Sequence, residues 1–320
     1  MQNNTEIITT TQANEITPAP SLGSLLDAFS QALTLRVQAG EVANNTATAY
    51  LRGAGKFIAW LEVQAVRAVE ADTIRAWKVE LVQAGYKPST INAWLAGVKA
   101  LFAWATERGK LTYNPAALIK GASRKGAKKA HKREALTTTE VRRVLGTPDT
   151  TTQGLRDRAI VALMAYTGVR SVEVHRANLQ DLRTQGGRLV LYVQGKGHTE
   201  ADDFVVIANA ELEAALRSWL AVRGKQPGAL FYSLSHRSQG ERLSLRALRF
   251  IVMGLFGKAG VIGNKTTHSL RHTAITTAIQ AGAPLQKVMS MSRHANIDTL
   301  MIYAHEIDRL EQPAEELITY

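Results

Sequence analysis

"HSLRHTAITTAIQAG", residues 268–282, carries the reading of the fold. On a helical wheel of about 100° per residue, with Leu270 at zero, Ala274, Ile275, Ala278, Ile279 and Ala281 form one apolar stripe. Arg271 falls at about 100°, inside the stripe, and His268 at about 160°, on the same side. A charge on an inward face is costly unless it is paired. Either a buried carboxylate neutralises Arg271, or a cleft opens there and a substrate anion enters. His268 and His272 stand at i, i+4, but the chain has no HExxH and no cysteine, so no metal site is expected.

Upstream lies "YTGVRSVEV", residues 166–174. Gly168 suits a helix C-cap, and Ser171 can cap the next helix. Arg170 then stands at a helix entry, where the dipole favours anions. A phosphate between Arg170 and the helix N-terminus removes the conflict. Glu173, in the first turn, can orient Arg170. The plainer alternative is an Arg–Glu pair that only caps the helix. Lys196 sits between Gly195 and Gly197 at a hairpin tip, free to reach outward or simply solvated. Downstream, Asn296 is a good N-cap, so His294 precedes the last helix and Tyr303 lies inside it. Ile297, Leu300, Met301 and Ala304 make that helix's apolar stripe. Tyr303 lies about 100–120° off its centre, so the hydroxyl is expected at the surface or in a cleft.

Around these stretches the chain divides in two. Helical patterns over about 21–39, 45–64, 72–84 and 88–107, with Ser89 as a cap and Gly109 as a stop, make residues 21–118 an all-helical domain. Residues 119–135 read as a linker. From Lys120 to Arg133 there are seven basic residues and no acid: Lys120, Arg124, Lys125, Lys128, Lys129, Lys132 and Arg133. They form a solvated tether or a strap along a phosphate backbone, and the strap is favoured on electrostatic grounds. From 136 to 305 the pattern is mixed. A Thr-capped helix begins near 138, and an apolar helix spans about 155–167, closed by Gly168. β-branched strands at about 188–194 and 202–208 form a hairpin. Helices follow over about 210–223, 244–258, 267–281, 284–291 and 297–305. The fold class is thus mainly α: a helical N-terminal domain plus an α+β domain with a small antiparallel sheet.

Composition agrees. At about 150 residues per domain, 320 residues suggest two domains. With 45% apolar residues, sizeable cores are available. Absent cysteine, no disulfide framework is expected, and a cytoplasmic location fits. No apolar run reaches a membrane span. Residues 1–20 read as a polar, disordered leader and not as a secretory signal. A net charge of +12 and a sequence pI near 9.9 make a polyanion, and by default nucleic acid, the expected partner.

Arg170, Lys196, His268, Arg271, His294 and Tyr303 stand in an order that resembles the tyrosine recombinase (phage integrase) family, to which the Xer resolvases and Cre belong. The likeness rests on "TGVRSVE", "GKG" in a hairpin, "HSLRH", "SRH" and "IYAH". It spans the second domain, and residues 21–118 resemble the family's SAM-like core-binding domain. Two departures stand out. His198, Thr199 and Glu200 follow the GKG, where a further basic residue is common. Ser292 and Arg293 precede His294, where the family often has Leu-Gly.

The resemblance implies a site-specific DNA recombinase. Tyr303 attacks a scissile phosphodiester to give a 3′-phosphotyrosine, and exchange passes through a Holliday junction without ATP, cofactor or metal. Arg170, Arg271 and His294 grip the phosphate, His268 assists the nucleophile, Lys196 protonates the leaving oxygen and Glu173 supports the site. The partner is a double-stranded recombination site, held by a homotetramer on two duplexes. Residues 306–320 dock on a neighbouring protomer or fold back on their own, with Leu310, Leu317 and Ile318 as anchors. Residues 1–20 are too short for an arm-binding domain, so a simple recombinase is expected. Type IB topoisomerase-like relaxation and non-catalytic sequence-specific DNA binding are the alternatives.

Overall fold

The computed structural model describes residues 22–66, 68–123, 134–195, 200–294 and 296–306. The chain forms two compact units, Met1–Ala127 and Lys128–Tyr320.

The first unit is helical: α1 (Leu22–Gln38), α2 (Asn44–Val63), α3 (Ala71–Gln83) and α4 (Pro88–Glu107). Helices α2 and α4 touch where both carry glycine. A methyl group on Gly53 would overlap the Trp94 carbonyl, and one on Gly97 the Tyr50 carbonyl. Phe57 fills the core beside them, 5.0 Å from the Trp77 ring and 6.0 Å from Phe102. Ser89 is not the cap of α4. Pro88 opens the helix and extended Lys87 precedes it, because proline's fixed φ suits the first helical position.

The linker begins later than the charge run suggested. Ile119 is buried in the first core, and Asn92 Oδ1 accepts from the Ala122 amide at 2.6 Å. Lys78 Nζ donates to the Lys120 carbonyl at 3.0 Å. Residues 119–123 are therefore anchored to the first unit. Lys120 itself is exposed. Arg124, Lys125, Lys128, Lys129, Lys132 and Arg133 lie outside the described residues, as do the leader and residues 307–320.

The second unit begins with α5 (Thr138–Gly146), α6 (Thr152–Thr167) and α7 (Ser171–Arg176). Thr137 caps α5 in a reciprocal box with Glu140. Three strands follow, β1 (Leu182–Gln185), β2 (Arg188–Val193) and β3 (Asp203–Val206), antiparallel in the order β1-β2-β3. Sequence periodicity found only β2 and β3. β1, "LRTQ", has neither alternation nor β-branched enrichment. Its cue was the Gly186-Gly187 pair, both at positive φ, as a two-residue hairpin turn requires. The register sets Gln185 opposite Arg188 and Val190 opposite Val206.

Helices α8 (Ala210–Arg223), α9 (Leu245–Lys258), α10 (Thr267–Gln280), α11 (Leu285–Ser292) and α12 (Ile297–Glu306) complete the unit. Ile160, Leu163, Leu191, Trp219, Phe231 and Leu270 share its main core. Ile275, Val288, Leu300 and Tyr303 form a second cluster under α10, α11 and α12. Among the described residues, no helix is long and apolar enough to cross a membrane, and no group of three or more His, Cys, Asp or Glu side chains is placed to hold a metal ion.

Candidate active site

Helix α6 ends at Gly168, whose φ of +64° makes a left-handed turn. The chain then re-enters a helix at once. The capping place belongs to Arg170, not to Ser171, which is the first residue of α7. Glu173 closes this turn. Its Oε2 accepts from the Arg170 amide at 2.7 Å and its Oε1 from Arg170 Nη1 at 2.8 Å. The capping pair foreseen as the plainer alternative is thus present, but it is not complete. Glu173 Oε2 also accepts from Arg293 Nη2 at 2.7 Å. Burial pushes the fully enclosed Glu173 carboxyl up. The charge of Arg293 and the bonds from Arg170 outweigh this and hold it below the usual carboxylate value.

Arg271, from the second turn of α10, is 1% exposed. Nη1 donates to the Gly168 carbonyl at 2.8 Å, and Nη2 donates to the Ser292 carbonyl and lies 3.1 Å from His294 Nε2. No carboxylate stands within ion-pair distance of it among the described residues. Burial, reinforced by the charges of Arg170 and Arg293, pulls it down to about 10. It stays protonated at neutral pH. Three guanidiniums, Arg170, Arg271 and Arg293, therefore lie near one carboxylate, Glu173, which pairs with Arg170 and Arg293 and leaves Arg271 without an ion pair among the described residues. A buried surplus of positive charge is what an entering anion would neutralise.

Tyr303 lies within this assembly. Its ring is 1% exposed, with centroids 4.9 Å from His272 and 6.1 Å from His294. The expectation of a surface or cleft hydroxyl is corrected. Ile297 and Met301, expected to fasten the helix, are 47% and 36% exposed. α12 docks on α10 and α11 through Leu300 and Tyr303, one turn apart. The amphipathic stripe did not predict this, because the receiving surface includes the histidine rings as well as apolar side chains.

His268 is also corrected. It is exposed, in the first turn of α10, and not on the buried side with Arg271. It lines a cleft of about 500 Å³ with Arg170, Ser171, Thr267, Arg249 and Met253. Arg249 was not singled out from sequence. Its cue was a helix face on which Arg246, Arg249, Phe250 and Met253 recur at i, i+3, i+4 and i+7 and stay exposed, Phe250 at 80%. Arg293 was noticed only as a departure. Lys196 lies outside the described residues. The last described residue before it, Gly195, has its carbonyl held by Arg176 Nη1 of α7 at 3.3 Å.

Comparisons with known proteins bear on the family and the fold. The model of the phage integrase family matches residues 134–309, and that of the phage integrase N-terminal SAM-like domain matches residues 26–109. A tyrosine recombinase of Synechocystis sp. is 31% identical over 232 residues, 71% of each chain. A tyrosine recombinase XerC of Mycobacterium sp. is 29% identical over 294 residues, 88% of this chain and 94% of the relative. Among solved structures, a XerH site-specific recombinase bound to difH substrate in a pre-cleavage complex has a TM-score of 0.70 at 18% identity, covering 94% of this chain and 98% of that one. A lambda integrase tetramer bound to a Holliday junction has a TM-score of 0.65 at 16% identity, covering 90% and 78%. At those identities the likeness is one of fold. The matches over both units together make the chain a member of the phage integrase family, a tyrosine site-specific recombinase.

Proposed function

We propose that the second unit cleaves and rejoins DNA through Tyr303. The phenol oxygen attacks the scissile phosphorus, the bond to the 5′-oxygen breaks, and a 3′-phosphotyrosine and a free 5′-hydroxyl result. The covalent link conserves the phosphodiester's energy, so the reverse attack by another strand's 5′-hydroxyl rejoins DNA without ATP. Attack as phenolate at neutral pH costs about 4 kcal/mol without a base. His268, at the cleft beside Arg170, is the proposed helper. Arg170 and Arg271 grip the non-bridging oxygens as charge builds in the pentavalent state. Each such donor lowers the barrier by roughly 3 kcal/mol. His294 adds a hydrogen bond, and Lys196 gives the leaving oxygen its proton. The chain's own cations supply the charge stabilisation.

The observation that carries this reading is the cationic surplus of Arg170, Arg271 and Arg293 beside one carboxylate, with His294 standing between Arg271 and the Tyr303 ring. A protein that only occupied DNA would have no use for such an arrangement. Lys120, Arg124, Lys125, Lys128, Lys129, Lys132 and Arg133 would track the phosphate backbone between the units, giving binding a steep salt dependence. Exchange between two duplexes needs four protomers and a Holliday junction. Residues 306–320 are the segment that would link neighbours.

The test uses a pool of nicked duplexes of random sequence. Recovery of a denaturation-resistant protein–DNA adduct from wild type, absent with Tyr303→Phe, supports the reading and yields the site. Exchanged products or Holliday junctions from two such sites establish recombination, whereas relaxation of a plasmid without exchange indicates the topoisomerase alternative. No adduct from the pool sinks the proposal.

A further inference from the structure

Arg293 ends α11 in the left-handed conformation, φ 54° and ψ 45°. Among the described non-glycine residues only Ala65 shares a positive φ. A long side chain is disfavoured there, and glycine or asparagine is the usual occupant. Something must hold Arg293 in place. Its side chain is only 6% exposed, and it turns back under the site. Nη1 donates to the Met291 carbonyl at 2.9 Å, and Nη2 to Glu173 Oε2 at 2.7 Å.

Glu173 has no exposed surface, so every lone pair must be met inside the protein. Oε1 takes Arg170 Nη1, and Oε2 takes both the Arg170 amide and Arg293 Nη2. This fixes the carboxylate plane. The guanidinium of Arg170, 30% exposed, is thereby held at the cleft's edge. The next residue, His294, meets Arg271 on the other arm of the site. One left-handed turn thus sends two consecutive side chains to the two arginines, the first through Glu173 and the second directly.

We propose that Arg293 is a positioning residue that locks Glu173, and through it Arg170, in register with the His294–Arg271 pair. This rests on the reading of Arg170 and Arg271 as the scissile-phosphate grip. Arg293 touches neither DNA nor the reacting atoms. It keeps the two arms at the spacing one phosphate can bridge. Glycine at 293 would remove the backbone conflict but leave Glu173 with Arg170 alone. The charges facing Glu173 are Arg170 on its own element, Arg271 from α10 and Arg293 from the end of α11.

The test compares full-length wild type, Arg293→Gly and Arg293→Lys on nicked duplexes. Glycine accepts the left-handed turn, so the variant folds, which a melting curve checks. The single-turnover rate of adduct formation at saturating DNA should fall by about 10-fold or more in Arg293→Gly. DNA affinity should change little, and Arg293→Lys should restore part of the rate. The acid limb of the rate profile should move toward neutral pH, because Glu173 loses one of the cations that hold its proton off. A merely structural role would instead lower the fraction of active protein and leave that limb in place. Wild-type rate and an unshifted profile in Arg293→Gly overturn the assignment alone. Failure of wild type itself to form an adduct overturns the reading of the site, and the assignment with it.

Discussion

Arg271 Nη2 lies 3.1 Å from His294 Nε2, so one ring nitrogen of the histidine faces a permanent donor. The other, Nδ1, is 3.0 Å from Ser292 Oγ, and that hydroxyl is 3.2 Å from the Met289 carbonyl. A hydroxyl has one proton. Given to Met289, it leaves Ser292 Oγ an acceptor for Nδ1–H, and Nε2 then carries the lone pair that meets Arg271. Without DNA this geometry favours the neutral Nδ1–H tautomer, so the hydrogen bond proposed from His294 to the phosphate requires Nε2 to gain a proton as the phosphate enters. Imidazole nitrogen NMR should find Nε2 unprotonated in wild type and the tautomers mixed in Ser292→Ala. The cleavage rate of that variant should drop by about 10-fold.

The fork of Arg271 spans the Gly168 and Ser292 carbonyls while reaching His294. A lysine ammonium is a single point and cannot span them. Arg271→Lys should lower single-turnover cleavage by about 100-fold or more while the chain still binds DNA. Retained cleavage would show that the fork is not what the chemistry uses.

Tyr303 is packed in the second cluster and is also the proposed nucleophile, and two substitutions separate the two roles. Tyr303→Phe keeps the ring beside Ile275, Val288 and Leu300. It should abolish the covalent adduct and change unfolding free energy by only about 1 kcal/mol. Tyr303→Ala opens a cavity and should cost about 3–5 kcal/mol in denaturant unfolding.

Acid should loosen the second unit through two carboxylates. Burial pushes Glu140 up, but the bonds and charge of Lys265, at 2.7 Å, and the cap on Thr137 hold it lower. Glu173 is lowered by Arg293 and Arg170 against the same opposition. For a carboxyl with a depressed folded value, the contribution is fully present above the unfolded value near 4.5. It is lost as pH falls through the folded one. Melting temperature should therefore hold from neutral to about pH 5 and fall below it. Glu140→Gln should flatten that fall.

In the first unit, Gly97→Ala should force α2 and α4 apart, since its methyl would meet the Tyr50 carbonyl and the backbone of Gly53 and Ala54. The expected loss is about 1–3 kcal/mol in chemical unfolding. Gly85→Ala would meet no neighbour within 4 Å, but its φ of +76° makes it a control for backbone strain alone.

Much of this was legible along the chain. The helix spans, the glycine stop at 168, the cap at Asn296 and the charge of Arg271 on an inward face are local properties. They follow from period, capping chemistry and the cost of burying a cation. The hairpin of β2 and β3 was visible for the same reason, while β1 was not, because its pairing and not its composition makes it a strand. Sequence also placed Glu173 three residues from Arg170, close enough to bond within one turn. It could not assign Arg293 to that carboxylate, 120 residues away, nor bury Tyr303, nor leave His268 exposed. Those outcomes depend on how α10, α11 and α12 dock, and a wheel gives the angle between side chains without saying which angle faces a neighbour. Periodicity and capping chemistry determined most of the elements, and the order of residues along the chain supplied the candidate reactive set. The packing of distant helices decided which members share one carboxylate and which ring is enclosed, because burial and ion pairing are set by separations through space.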